Sequence, residues 1–235
     1  MSANAGRTAR ERVRAELISE ILRIAREQLA TEGATGLSLR AISREMGMVS
    51  SAIYRYFPSR DELLTALIIE GYDAIGEAAE RADAAVARAD HFGRWLALCR
   101  AVRQWALAHP HQYALLYGSP VPGYRAPQDT NDPASRSAAT FGRILADACR
   151  AGAVRRPEHL PPSPAEFGAD AARIRAAVMP DVPDDVVARA LAAWTGLFGA
   201  VSFELFGQFN NVVTEREALF EHTATCLGRL IGLPG

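Results

Sequence analysis

From Arg14 to Thr31 apolar residues return at helical intervals, as Leu17, Ile18, Ile21, Ile24, Ala25 and Leu29, and the stripe stops at Gly33. That spacing predicts an amphipathic helix with one buried face. Behind Ser38, whose hydroxyl suits an N-cap, Leu39, Ile42 and Met46 form a second short stripe, which Gly47 breaks. Ser50 or Ser51 restarts a helix in which Ile53 and Phe57 face inward, leaving Ser51, Tyr54, Arg55 and Tyr56 to point outward. Pro58 stops it, and Ser59 with Glu62 three residues on makes a capping box for the next helix. That helix carries Leu63, Leu64, Leu67, Ile68, Tyr72 and Ile75 and runs from Asp61 to about Val86.

The remaining chain reads as helix throughout, punctuated by proline and glycine. A helix from about His91 to Ala108 presents Trp95, Leu98, Val102 and Trp105, and a short one follows from His111 to Tyr117. Residues 118–127 hold three prolines and two glycines and cannot be regular helix. Helices are expected from about Pro133 to Ala151 and, after a proline-rich connection, from Ala165 to Met179. Asp184 or Asp185 caps a run to about Phe209 that is apolar on more than one face, and Thr214 caps a last helix containing Leu219, Phe220, Cys226, Leu227 and Leu230. The fold class is therefore all-α.

Two short helices around a tight turn, backed by a third, are the anatomy of a helix-turn-helix, in which the second helix enters the DNA major groove. Hydroxyls, phenols and a guanidinium fork on its outer side suit phosphate oxygens and base edges. Arg60 lies in the first turn of a helix, where positive charge opposes the helix dipole. A phosphate beside it would resolve that conflict.

Composition agrees once its distribution is considered. Residues 1–60 hold ten Arg and six Glu, a net +4, whereas the whole 235-residue chain is at -1, so the remainder carries -5. Every basic residue is Arg, the better phosphate fork. Residues 1 to 8 are small and polar and are expected to be disordered. Arg7, Arg10, Arg12 and Arg14 form either an arm against DNA or a solvated segment. Three widely spaced cysteines, Cys99, Cys149 and Cys226, fit a reducing cytoplasm. No leader pattern is present, and no apolar run is expected to reach the roughly 18 residues that cross a bilayer. The five histidines form no HExxH, and GxSxG, GxGxxG and P-loop motifs are lacking, so neither an enzyme nor a metal or cofactor is expected.

The run Gly36-Leu37-Ser38-Leu39, Ile42-Ser43, Gly47 and above all Ile53-Tyr54-Arg55-Tyr56-Phe57-Pro58-Ser59-Arg60-Asp61-Glu62-Leu63-Leu64 resembles the N-terminal domain of the TetR family of bacterial transcriptional regulators. The resemblance implies a three-helix DNA-binding domain, residues 1–60, and a larger helical ligand-binding and dimerisation domain, residues 61–235. It implies a cytoplasmic homodimer, a repressor released from a palindromic operator on double-stranded DNA by an unidentified small-molecule effector. Ser38, Arg40, Ser50, Ser51, Ala52, Tyr54, Arg55, Tyr56 and Arg60 become the candidate DNA contacts. Trp95, Cys99, Trp105, His109, Tyr113, Tyr117, Phe141 and Phe203 are candidates to line an effector pocket, and each aromatic is otherwise ordinary core. Trp194, Leu197, Val201, Leu205, Phe220 and Leu227 are candidates for a twofold four-helix interface. Residues 109–127 together with Trp194–Gly199 are similar to the WHG-domain subgroup of that family, although Phe198 stands where its named motif has His. The alternative on the same fold is a small-molecule-binding protein without specific DNA affinity.

Overall fold

Helical periodicity carries through to ten α-helices and two 3-10 turns, Gln128–Thr130 and Ala165–Phe167, with no strand among the described residues of this computed structural model. Residues 9–235 are described with their side chains; the expected N-terminal tail, with Arg7, lies outside the described residues. The chain divides into two compact units, residues 1–71 with 111–130, and residues 72–110 with 131–235.

The first unit contains α1 (Ser2–Gly36), α2 (Leu39–Glu45), α3 (Ser50–Ile53), the opening of α4 (Arg60–Ala84) and most of α6 (Pro110–Tyr117). Gly33, at φ 70° and ψ 177°, interrupts α1 where the sequence places its stop. Ile21, Ile24 and Ala25 of α1 meet Leu39 and Ile42 of α2, Ile53 and Phe57 around α3, and Leu63, Leu64 and Leu67 of α4 in one core. Leu115, Val121 and Tyr124 pack on that core from α6 and the proline-rich loop, and the Tyr124 hydroxyl lies 2.9 Å from Thr65 Oγ1. The division consequently falls at Gly71 instead of 60/61, because the first three turns of α4 complete the reading unit's interior, and a later segment returns to cover it.

The second unit holds the rest of α4 with α5 (His91–Ala108), α7 (Asn131–Arg150), α8 (Gly168–Val178), α9 (Asp184–Leu205) and α10 (Arg216–Ile231). Trp95 of α5 lies at its centre, donating Nε1–H to the Ala224 carbonyl at 2.8 Å with its ring centroid 5.0 Å from Phe141. Phe141 in turn stacks on Trp194 at 5.3 Å. Charge is buried here only in pairs, as burial requires. Arg94, fully buried, reaches Asp83 at 2.6 Å and Asp147 at 2.8 Å, and Arg103 meets Glu204 through two 2.8 Å bonds. At Gly142 any Cβ would lie 1.8 Å from the Val178 carbonyl, so glycine there is what permits α7 and the end of α8 to approach.

Two caps differ from expectation. Pro183 precedes α9, with Asp184 and Asp185 inside its first turn, where negative charge suits the dipole. Glu215 precedes α10 without a side-chain cap bond, and Thr214 contributes its carbonyl instead, accepting from Arg216 N–H at 3.0 Å. The 22-residue α9 is, against expectation, long and apolar enough to cross a membrane, with an 18-residue window of mean hydropathy 1.5. Its buried Arg189 and Glu204 are both ion-paired within the second unit, and Ala190, Ala193, Leu197 and Val201 are core there, so α9 is the core helix of a helical unit.

Candidate nucleic-acid interface

The helix-turn-helix is assembled by a few directed bonds. Ser38 Oγ accepts from Ala41 N–H at 3.3 Å and starts α2, while its own N–H donates to Gln28 Oε1 of α1 at 3.1 Å. Gly47 adopts φ 66°, a left-handed turn that glycine makes without Cβ strain, and Met48 N–H closes it on the Ser43 carbonyl at 2.8 Å. After α3 the chain coils on to Phe57, whose N–H bonds the Ile53 carbonyl at 3.1 Å. Ile53 and Phe57 are buried as expected. Their burial fixes what faces outward: Ser50, Ser51, Tyr54 and Arg55 are exposed, and Ala52 is half-buried. Arg40 is exposed on α2.

Two expected contacts are placed differently. Tyr56 is half-buried, with the Arg14 guanidinium 5.2 Å from its ring centroid, a cation–π arrangement that ties α1 to the end of the reading segment. Arg60 turns back and donates from Nη2 to the Ala34 carbonyl at 2.6 Å, near the carboxyl end of α1. A cation near one helix's carboxyl end meets part of the conflict that a phosphate was expected to resolve, and Arg60 Nε is buried with no hydrogen-bond partner.

Charge bookkeeping defines the face. Arg23 pairs with Glu20 and Glu27, and Arg26 with Glu70. Among the described residues of the first unit, Arg10, Arg12, Arg14, Arg40, Arg44, Arg55, Arg60 and Arg125 have no acidic partner, Arg14 and Arg60 bonding main-chain carbonyls instead. Guanidinium groups without acid partners, on a unit that also exposes Ser50, Ser51 and Tyr54, supply the donors and positive charge that a polyanion needs. Val49, 72% exposed beside Ser50, adds an apolar group of the kind that meets a thymine methyl.

Gln28, Arg44 and Val49 were not singled out in the sequence, whereas Arg14, expected in an arm against DNA or a solvated segment, lies instead against the Arg55 carbonyl and the Tyr56 ring. Gln28 alone had a signal, since it stands one turn beyond Ile24 and Ala25 on the buried stripe of α1, where a polar side chain needs a partner.

The other candidate sets separate. Trp95, Cys99 and Phe141 are fully buried core of the second unit, and burial holds the Cys99 thiol well above its ordinary range. Trp105 is buried with its ring 5.4 Å from exposed His109, and Phe203 is 53% exposed, which removes Phe203 from any interior lining. Tyr113 and Tyr117, 4.9 Å apart, belong to the first unit. Of the expected dimer contacts, Leu197, Val201 and Phe220 are buried inside their own protomer and are not available to a partner. Trp194, Leu205 and Leu227 are half-buried, and Leu227 closes on Gly196.

Residues 21–67 match the model of the bacterial regulatory proteins of the tetR family, and residues 95–227 match that of the tetracyclin repressor-like C-terminal domain. The chain belongs to the TetR family. An HTH-type transcriptional regulator of Mycobacterium tuberculosis is 40% identical over 217 residues, covering 92% of this chain and 90% of the relative, and one of Mycobacterium bovis matches equally. The crystal structure of the regulatory protein SCO4313 aligns with a TM-score of 0.75 at 39% identity, over 92% of this chain and 97% of that one. A TetR-family regulator from Rhodococcus RHA1, 17% identical with a TM-score of 0.62 over 93% of this chain and 98% of its own, shares the fold. This TetR-family chain is accordingly a DNA-binding transcriptional regulator and not an enzyme. Its C-terminal match spans the Trp194–Gly199 segment likened to the WHG subgroup, under the broader tetracyclin repressor-like description.

Proposed function

We propose that this TetR-family regulator acts in the cytoplasm as a homodimeric repressor, holding a palindromic operator until a small molecule releases it. The observation that carries the DNA half of this reading is the outward placement of Ser50, Ser51, Tyr54 and Arg55 on a unit whose exposed Arg10, Arg12, Arg40 and Arg44 have no acidic partner. In this mechanism α3 enters the major groove, with Arg55 and Ser51 at base edges and Tyr54, Arg40 and Arg44 on phosphates. Two copies about one helical turn apart double so short a reading segment.

The dimer half rests on α9. Ala192, Thr195, Gly199, Phe203 and Phe206 are spaced as one stripe; nothing stands within 4 Å of a Cβ built at Gly199, and Phe203 and Phe206 are 53% and 46% exposed. Small residues followed by exposed aromatics are a face suited to a second helix of the same kind. Release by an effector in the second unit would travel through α4, whose residues belong to both units.

Fluorescence anisotropy on DNA upstream of the protein's own and neighbouring reading frames, at two salt concentrations with excess competitor, tests the reading. Binding to one palindromic sequence that survives competitor supports it. Weak binding that is indifferent to sequence and vanishes with salt removes the specific regulator and leaves a ligand-binding protein of the same fold.

A further inference from the structure

Within the first unit, the end of α1, α6 and the proline-rich loop form a half-open cleft of about 210 Å³. Leu29 and Ala34 of α1, Ala114 and Leu115 of α6, and Val121 of the loop supply apolar wall, and the polar side chains on the lining are His111 and Ser119. No acid, arginine or lysine lines it. A cavity of about 150 Å³ with apolar walls takes a benzene ring. This one therefore has room for a ring with a substituent. Its polar end, exposed His111 and Ser119, offers hydrogen bonds to a hydroxyl, while the lining supplies no Arg or Lys to pair with a carboxylate.

Position gives the cavity a consequence. Ala34, one of its wall residues, is also the residue whose carbonyl accepts Arg60, and Arg60 opens α4 just beyond the buried Phe57 that anchors the reading segment. The second wall, Leu115 and Val121, packs on the same core that holds Ile53.

We propose that this cleft is an effector site of its own, taking a neutral single-ring aromatic alcohol of the phenol class, and that its occupation acts on the Ala34–Arg60 latch and thereby on DNA binding. The ring displaces water from Leu29, Ala114 and Val121, which is its main source of affinity. The hydroxyl stays hydrogen-bonded at the polar end. The regulatory half of this inference rests on the repressor reading; the binding half does not.

The experiment titrates the full chain with para-fluorophenol, followed by fluorine NMR and by amide shifts of Gly33 and Ser119, in wild type, Ala114→Phe and Ser119→Ala. Wild type is expected to bind with those amides moving, Ala114→Phe to lose at least about tenfold in affinity by filling the cleft, and para-fluorobenzoate to bind at least about tenfold more weakly than the phenol. Absence of phenol binding, equal affinity in a folded Ala114→Phe, or benzoate binding as well as phenol overturns the site or its chemistry. If Ala114→Phe does not fold, the wild-type amide shifts and Ser119→Ala decide: shifts confined to other residues, with unchanged affinity in Ser119→Ala, overturn it. Operator binding by anisotropy with and without phenol then reads the coupling, where a severalfold change supports it and an unchanged affinity overturns the regulatory half. A protein that binds phenol as described but no specific DNA refutes the repressor reading while leaving the site in place.

Discussion

Arg60 shows how a residue's chemistry can be legible while its partner is not. Its place in the first turn of α4 announced an unmet positive charge, but the acceptor is the main-chain oxygen of Ala34, 26 positions upstream, and a carbonyl leaves no mark in the sequence. Arg60→Ala should cost the first unit about 1.5 kcal/mol in urea unfolding, the order of a hydrogen bond to a charged group. It should leave the salt slope of operator binding unchanged, whereas Arg55→Ala should reduce that slope by about one. A reduced slope in Arg60→Ala would return Arg60 to the phosphate contacts. The cysteines separate in the same way: Cys99 is buried with its thiol held well up, Cys149 is half-buried and raised by burial, and Cys226 is exposed. Thiolates are the reacting species, so iodoacetamide under native conditions should label Cys226 first and Cys99 only on unfolding. Early labelling of Cys99, read by peptide mass mapping, would show that the core around Trp95 opens.

At the scale of elements, what periodicity encodes is that a face is buried, not what covers it. The stripe of α1, the Gly47 turn and the Ser59 cap were readable because each depends on neighbours along the chain. The role of residues 111–127 was not, since Leu115, Val121 and Tyr124 meet the reading unit only through contacts made across some fifty residues or more of sequence. α9 is the sharper case. Apolar residues on several sides announced more than one partner, and Leu197 and Val201 were assigned to the wrong one. Leu197→Ala should cost about 3 kcal/mol of stability as a buried large-to-small change, with the dimer of the remaining folded protein intact. Ion pairs between helices follow the same logic. Arg136 of α7 donates to both oxygens of Glu80 on α4 and holds that carboxyl below the usual range. Because the folded-state value is depressed, the stabilisation is full above the ordinary glutamate value of about 4.3 and is lost as pH falls through the folded-state value. Glu80→Gln should therefore lower thermal stability at neutral pH and flatten its decline below about pH 4. An unchanged acid limb in melting curves would assign that decline to other carboxylates.

At the scale of the whole molecule, the exposed end of α9 bears on assembly. Phe203 and Phe206 leave about half their surface in water, and Val212 in the turn beyond is 78% exposed. Contiguous apolar groups of this size usually mark an association site. The core does not need them, as Leu197, Val201 and Glu204 already face inward from the same helix. Replacing both aromatics, as Phe203→Glu with Phe206→Glu, would place like charges opposite one another across any twofold contact while leaving the protomer's interior untouched. On the proposed assembly, sedimentation equilibrium should report a dimer for the native chain and a monomer for the double variant, with the helical circular dichroism spectrum preserved. Operator affinity should fall by orders of magnitude, because one α3 reads only a half-site and the second copy's contribution disappears. The salt slope per chain should persist, since the arginines of each reading unit are unchanged. A dimer that survives both substitutions would place the interface elsewhere, with the aromatic end of α9 left to a different partner; a monomer that still binds the full palindrome tightly would break the link between dimerisation and reading.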